Sequence, residues 1–418
     1  MKKIIILLAI ILQLWNQVSA NNIEKISQNI FSKNETKNIY TQIDIYETYI
    51  YQLKKIIRNN SQASFLQDII NLESIISNKY DSIVSDILQK KAIIQTGNTL
   101  ILKFWEQTNI PNYISKNSDK LLQANSVFIF RESKNISSDN MKIITSEIKK
   151  ITPNILIFTD QEGGQINRFI SFKNGFNFED YREYMYIFLR FETLKPIEKE
   201  SILKLFWNDK YFPEMWNIWK TYKNISKENK KKFLEIITFI QLKNLQIHWI
   251  NTHGFIADLD LWNPVISWLN RSFSENILEY FSLIDAYVSA SKQTGVILYA
   301  KHFPGHWAGN IDSHKDILDY SENTQYVENN LLVFEYFLNQ TKLIWKWIMV
   351  WHMYLDKNIS EKFHKILSES DFIITDDLAM QWFKKIKDIP DNKIFSTQEI
   401  INYKNLIKIN TQDNIWIK

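Results

Sequence analysis

Ionisable residues gather at the ends of short apolar runs along this chain. The run Ile155–Thr159 ends in Asp160-Gln161-Glu162-Gly163-Gly164, with Arg168 a little later. The run Phe255–Leu261 contains Asp258 and Asp260 and is followed by Asn270-Arg271-Ser272-Phe273. Gly295–Lys301 leads into Lys301-His302-Phe303-Pro304-Gly305-His306, with Asp312-Ser313-His314 beyond. His352 follows Ile348–Val350, and Asp376-Asp377-Leu378 follows Phe372–Thr375. Singly, each has a bland explanation. An aspartate after a strand caps a helix, a lysine is a solvated charge, and a histidine sits satisfied in a core. Together, carboxylates, cations and imidazoles at five run ends describe one polar mouth for a small polar substrate. A carboxylate on one strand end facing an acid/base pair on another fits glycoside hydrolysis, where one group attacks the sugar carbon and the other protonates the leaving oxygen.

Other chemistries are excluded or unsupported. The chain has no cysteine, which removes disulfides, thiolate zinc sites and a cysteine nucleophile. His302, His306 and His314 do not share a helix-forming stretch, since Pro304 and Gly305 interrupt it, so no metal site is expected. No phosphate-binding loop or dinucleotide fingerprint occurs, and no cofactor is expected. Lys and Arg number 50 against 46 Asp and Glu, a net +4, which is too even for a nucleic-acid binder. The expected partner is an oligosaccharide substrate.

The elements that must position these residues can be read along the 418 residues. Eight β-type runs alternate with amphipathic stretches: Thr99–Lys103, Val127–Phe130, Ile155–Thr159, Phe255–Leu261, Gly295–Lys301, Ile348–Val350, Phe372–Thr375 and, more weakly, Leu406–Ile409. This alternation predicts an α/β fold, a (β/α)8 TIM-type barrel over residues 96–418, with catalytic groups at the C-terminal strand ends. Only Thr411–Lys418 follow the eighth run, so the barrel is expected to be incomplete at its C-terminus. Residues 172–235, crowded with aromatics and charges, read as an insertion on a loop, either a lid over the site or a surface helical pair with no role in it. Residues 21–95 place Leu66, Ile69, Leu72, Ile76, Tyr80, Ile83 and Ile87 at helical spacing and are expected to form a helical extension. Residues 1–20 have a basic start at Lys2-Lys3, an apolar stretch from Ile4 to Trp15 and small residues at Val18-Ser19-Ala20. That is the pattern of a signal peptide, from which an exported protein with no stable membrane insertion is expected.

Three long motifs carry a resemblance: Ile157-Phe158-Thr159-Asp160-Gln161-Glu162-Gly163-Gly164 with Asn167-Arg168-Phe169, Lys301-His302-Phe303-Pro304-Gly305-His306 with Asp312-Ser313-His314, and Ile374-Thr375-Asp376-Asp377-Leu378-Ala379-Met380. In this order they resemble the signatures of family 3 glycoside hydrolases, most closely the bacterial β-N-acetylglucosaminidase branch that trims cell-wall muropeptides. The resemblance covers roughly residues 95 to 410. It implies Asp376 as nucleophile, His314 in a dyad with Asp312 as acid/base, and Asp160, Arg168, Arg271, Lys301 and His302 as the groups that hold the sugar. It implies a retaining glycosidase that removes terminal β-linked N-acetylglucosamine through a covalent glycosyl-aspartate. The alternatives are a β-glucosidase or glycosyl phosphorylase of the same fold, or a non-catalytic glycan-binding barrel.

One ratio is abnormal. The chain has 8 glycines and 14 tryptophans, whereas average usage of about 7% would give roughly 29 glycines. Trp249, Trp307, Trp351 and Trp382 fall where the resembling family commonly has glycine. These positions are expected to be glycine in the natural protein, as a UGA codon read as glycine would produce.

Overall fold

The computed structural model describes residues 97–104, 108–131, 136–181, 184–206, 210–260, 265–306, 318–319, 324–340, 345–376, 393–396 and 406–408, with 70–80 and the single positions 28, 46, 50, 53, 82 and 400. The expected signal segment, most of 21–95, and Asp312, His314 and Asp377 lie outside the described residues.

The chain divides into two units, one of residues 1–92 with 181–189 and one of 93–180 with 190–418. In the first, residues 70–80 are helical and bury Leu72, Ile76 and Tyr80, one residue per turn along a single face.

The second unit is built on β1 (Gly97–Phe104), β2 (Ser126–Arg131), β3 (Leu156–Phe158), β4 (Thr252–Ile256), β5 (Ile297–Phe303), β6 (Leu318–Asp319), β7 (Trp347–Val350), β8 (Met353–Asp356), β9 (Phe372–Thr375), β10 (Lys393–Phe395) and β11 (Leu406–Lys408). Eight of them form one sheet in the order β3-β2-β1-β11-β9-β7-β5-β4, every pairing parallel. These are the eight runs read from the sequence. β4 starts earlier than its apolar run suggests, at Thr252, and ends before Asp258. A parallel sheet puts all its C-terminal ends on one side, so Asp160, Asp258, Lys301, His302, His352 and Asp376 fall together there.

The backbone ladder does not continue between β3 and β4. Side chains bridge that gap. Asn251 Oδ1 accepts from Ile157 N at 2.8 Å, its Nδ2 donates to Ile155 O at 3.0 Å, and Thr252 Oγ1 donates to Ile157 O at 2.8 Å. They satisfy backbone groups that an unpaired edge would leave open.

Alternate residues of the strands, among them Ile101, Phe128, Phe158, Tyr299, Met349 and Ile374, form one buried cluster. The period of two is that of a strand with one face on a core. Gly254 in β4 makes room for it: a Cβ there would lie 2.3 Å from the Tyr299 ring. Helices cover the sheet. Ser137 caps the helix Ser138–Ile151 by accepting from Asn140 N, and Asn276 caps Ile277–Thr294 through Leu278 N and Glu279 N.

One feature is not apparent from the sequence patterns. The loops after β5, β7 and β9 contribute β6, β8 and β10 to a small separate sheet, with β8 and β10 antiparallel. The segment 172–235 is largely helical, with Met185–Glu192, Pro196–Leu205 and Met215–Asn224. Its aromatics pack on each other, as Phe176 on Phe206 (centroids 4.1 Å) and Phe206 on Phe212 (5.8 Å).

Candidate active site

The turn after β3 is built by Gln161. Its buried amide donates to Phe169 O at 3.0 Å and Ser171 Oγ at 2.9 Å, and its oxygen accepts from Arg168 N at 2.8 Å. This folds residues 161–171 back and returns Arg168 over Asp160, Nη2 to Oδ2 at 2.8 Å. Gln241 holds the turn from behind, donating to Gln161 O at 3.3 Å and Glu162 O at 3.1 Å. Gly163 (φ +117°) and Gly164 (φ +56°) lie against Pro213 and Glu214 of the helical segment, and a Cβ on Gly163 would sit 2.3 Å from Pro213 O. Only glycine fits that approach in that conformation. The segment reaches the site on a second side, where Asn270 Nδ2 donates to Glu214 Oε1 at 3.2 Å beside Arg271.

β5 supplies the centre. The Lys301–His302 and Phe303–Pro304 peptides are cis. The register of β5 against β7 slips between Ala300 and Phe303, an irregularity of the kind that re-aims side chains at strand ends. Lys301, 2% exposed, reaches Asp160 Oδ1 at 3.1 Å and Glu162 Oε1 at 2.6 Å. Arg271 grips Glu162 with two bonds, Nε to Oε2 at 2.7 Å and Nη2 to Oε1 at 2.9 Å, and donates to Val265 O at 3.1 Å. The result is a row of alternating charge: Arg168, Asp160, Lys301, Glu162, Arg271.

His302 ends the row, its Nε2 3.5 Å from Arg271 Nη2. Its Nδ1 is 2.7 Å from Asp258 Oδ2, and its backbone N lies 3.2 Å from both Asp258 oxygens. His306 N donates to Asp258 Oδ1 at 2.8 Å. Since Nε2 faces a guanidinium that can only donate, it is the acceptor and Nδ1 carries the proton toward Asp258. Asp376 follows β9, two strands along the sheet from β5, its backbone N donating to Val350 O at 3.1 Å and its charge felt by both His302 and Tyr299.

The electrostatics follow from this packing. Burial acts to raise the Asp160 pKa, but Lys301 and Arg168 outweigh it and hold the carboxyl well below the usual range. For Glu162, burial is again overcome, by Arg271 and Lys301, and the pKa is pushed to about 2. Burial acts to lower Lys301, yet Glu162 and Asp160 hold it above the ordinary lysine value. His302 is lowered to about 3 by burial and by the cations Arg271 and Lys301, so its imidazole is neutral. Burial raises Asp258, opposed by His306 and the backbone N–H donors.

Of the residues singled out in the sequence, the structure brings Asp160, Arg168, Arg271, Lys301 and His302 into one connected set, with Asp376 beside it. Asp312 and His314 lie outside the described residues. Two members of the set were noted at the run ends but given no role. Glu162 joins Lys301 to Arg271, and Asp258 orients His302. A signal existed for Asp258: a charge inside an apolar run, Phe255-Ile256-Ala257-Asp258-Leu259, is rarely buried without partners. Among the described residues, no group of three or more His, Asp or Glu could hold a metal ion.

Residues 261–382 match the model of the glycosyl hydrolase family 3 N-terminal domain. That stretch holds Arg271, Lys301, His302, Asp312, His314 and Asp376. A β-hexosaminidase of Psychromonas ingrahamii is 41% identical over 59 residues, 14% of this chain and 17% of that protein. The alignment thus spans about one sixth of that curated relative's length. Among solved structures, NagZ from Neisseria gonorrhoeae matches with a TM-score of 0.52 and 18% identity, over 77% of this chain and 83% of that one. A family 3 β-N-acetylglucosaminidase from Paenibacillus matches with a TM-score of 0.51 and 16% identity, over 77% of this chain and 54% of that one. At these identities the structural likeness speaks for the fold alone. Residues 261–382 thus resemble the glycosyl hydrolase family 3 N-terminal domain, within a fold similar to that of family 3 β-N-acetylglucosaminidases.

Proposed function

We propose that the protein is a retaining β-N-acetylhexosaminidase acting on terminal β-linked N-acetylglucosamine of cell-wall or chitin-type oligosaccharides, on an eight-stranded barrel closed across β3 and β4. The observation that carries it is the row Arg168–Asp160–Lys301–Glu162–Arg271–His302 at the strand ends, with Asp376 beside it. Such a row offers fixed donors and acceptors to sugar hydroxyls and an N-acetyl group in a largely buried setting, at low reorganisation cost.

In the proposed reaction an Asp376 oxygen attacks the anomeric carbon while the bond to the leaving oxygen breaks. His314, oriented by Asp312, gives that oxygen a proton. Water then attacks the glycosyl-aspartate, His314 takes the water proton, and Asp376 is released. Lys301 and Arg168 keep Asp160 ionised as an acceptor for hydroxyl groups. Neutral His302 presents the same nitrogen to the pocket in every turnover because Asp258 fixes its ring. The signal-like residues 1–20 support export, where muropeptide substrates occur.

Nitrophenyl β-N-acetylglucosaminide, offered beside the β-glucoside with and without phosphate, tests the substrate class. Hydrolysis of the former alone, independent of phosphate, is expected. Preference for the glucoside, a requirement for phosphate, or binding without turnover would each select one of the alternatives. A first-formed β-anomer in the product is expected of retention.

A further inference from the structure

We propose that the protein made in the cell carries glycine, not tryptophan, at positions 249, 345, 347 and 351, a UGA codon being read as glycine, and that position 351 thereby leaves space beside His302 for a sugar ring.

Position 249 follows the helix Lys230–Ile247 and its C-cap His248. Trp249 N donates to Gln246 O at 2.9 Å and Ile250 N to Leu245 O at 3.0 Å. That pair of bonds is the Schellman motif, whose residue after the cap takes the left-handed conformation and is usually glycine. Trp249 has φ +58°, and with Asn270 it is one of two non-glycine residues of positive φ among those described. Asparagine tolerates that region; a bulky aromatic there is an outlier. The residue is also 60% exposed, so little packing offsets the conformation. At the end of the helix Ile277–Thr294 the same chain places Gly295, with φ +70°.

The second observation is independent. Trp345, Trp347 and Trp351 crowd seven residues at β7, and the indole N–H groups of Trp345 and Trp347 are buried with no acceptor among the described protein atoms. Trp347 is fully buried among Phe158 and Phe372, with centroids 6.4 Å and 4.8 Å away. A buried tryptophan usually finds an acceptor. Trp219 of the helical segment does, donating to Glu279 Oε2 at 2.8 Å. The indoles at β7 therefore differ from a tryptophan that its neighbours accommodate.

The functional consequence rests on the proposed glycosidase site. The Trp351 ring lies 4.0 Å from the His306 ring and 5.4 Å from His302, centroid to centroid. Residue 351 directly follows Val350, whose carbonyl receives Asp376 N. An indole there packs against both imidazoles and fills the space beside them. Glycine opens it, and the size of this residue sets which sugars enter.

Peptide mass spectrometry of the protein purified from its own organism decides the identity of these residues, whatever the activity. The tryptic peptides are Asn244–Arg271, Leu343–Lys346 and Trp347–Lys357. Glycine masses at 249, 345, 347 and 351 are expected, and a tryptophan mass at 249 or 347 would overturn the proposal. Recombinant chains give a second readout. Trp249→Gly is expected to raise the thermal midpoint by about 2–4 °C by relieving the left-handed strain; an unchanged or lower midpoint would contradict that strain. For position 351, the chain as written and its Trp351→Gly variant are compared on nitrophenyl β-N-acetylglucosaminide. A KM at least about tenfold lower for the Trp351→Gly variant, from roughly 1.4 kcal/mol of recovered binding, is expected, and an equal or higher KM would overturn the open-wall role.

Discussion

Glu162 is the residue on which the charge row turns. It meets Lys301 and Arg271 together, the first buried and the second nearly so. Glu162→Gln keeps the shape and removes the charge, leaving two cations facing each other. Removing one partner of a buried pair costs about 3–5 kcal/mol, so urea unfolding should show a loss of that order; a loss under about 1 kcal/mol, the range of surface pairs, would mean the row is solvated. Protonation belongs to the same scale. Burial and nearby cations hold folded His248 at about 4, with His253 and His302 at about 3, below the roughly 6.5 of an unfolded histidine. As pH falls below that value the unfolded chain binds protons that the folded chain does not, so stability is lost progressively through these lowered values. Glu162, lowered to about 2, extends the loss in the same direction. The urea midpoint should therefore fall from pH 7 to pH 5 and fall further at pH 4; a constant midpoint over that range would contradict buried neutral histidines. The proposed acid/base pair gives a kinetic counterpart. Losing Asp312 or His314 should cost nearly as much as losing both, since groups that act as a unit are not additive, and additive losses would remove the dyad.

At the scale of elements, the glycine pair in the β3 turn is the most exposed to test. Gly163→Ala must place a Cβ 2.3 Å from Pro213 O in a left-handed backbone. Strain of this kind costs on the order of 1–3 kcal/mol, and the helical segment touching Gly163 should become more susceptible to proteolysis than in the parent. Equal proteolysis rates and an unchanged thermal midpoint would show that Phe212–Glu214 do not rest on the turn. The eight sheet strands were legible because a strand buried on both faces reads as a short unbroken apolar run. Asp160, Arg168, Arg271, Lys301 and His302 each have a bland explanation alone; they were legible as a set because polar groups recur at several run ends and the family 3 resemblance gathers these five. The small sheet of β6, β8 and β10 was not, since strands of two to four residues carry too little periodicity to register. Glu162 was quoted beside its glycines but given no role, because its partners are 109 and 139 positions away in the chain, a distance that local patterns do not report.

Across the whole molecule, a parallel sheet, a turn folded by Gln161 and a slipped register at β5 bring charges from distant segments to one side, with Asp376 among them. The family 3 match over residues 261–382 covers four of the six described candidate positions, and the fold supplies the other two, Asp160 and Arg168, from β3. The central claim is that this one side of the sheet cleaves a β-N-acetylglucosaminide with Asp376 as nucleophile. The direct test is the rate of nitrophenol release from nitrophenyl β-N-acetylglucosaminide by the parent chain, Asp376→Ala and Asp377→Ala, each checked for folding by its thermal midpoint. A parent that turns over, an Asp376→Ala protein slower by at least about 10³-fold while still binding N-acetylglucosamine, and an Asp377→Ala protein that retains activity are predicted. A folded Asp376→Ala protein that hydrolyses the substrate at the parent's rate would contradict the account.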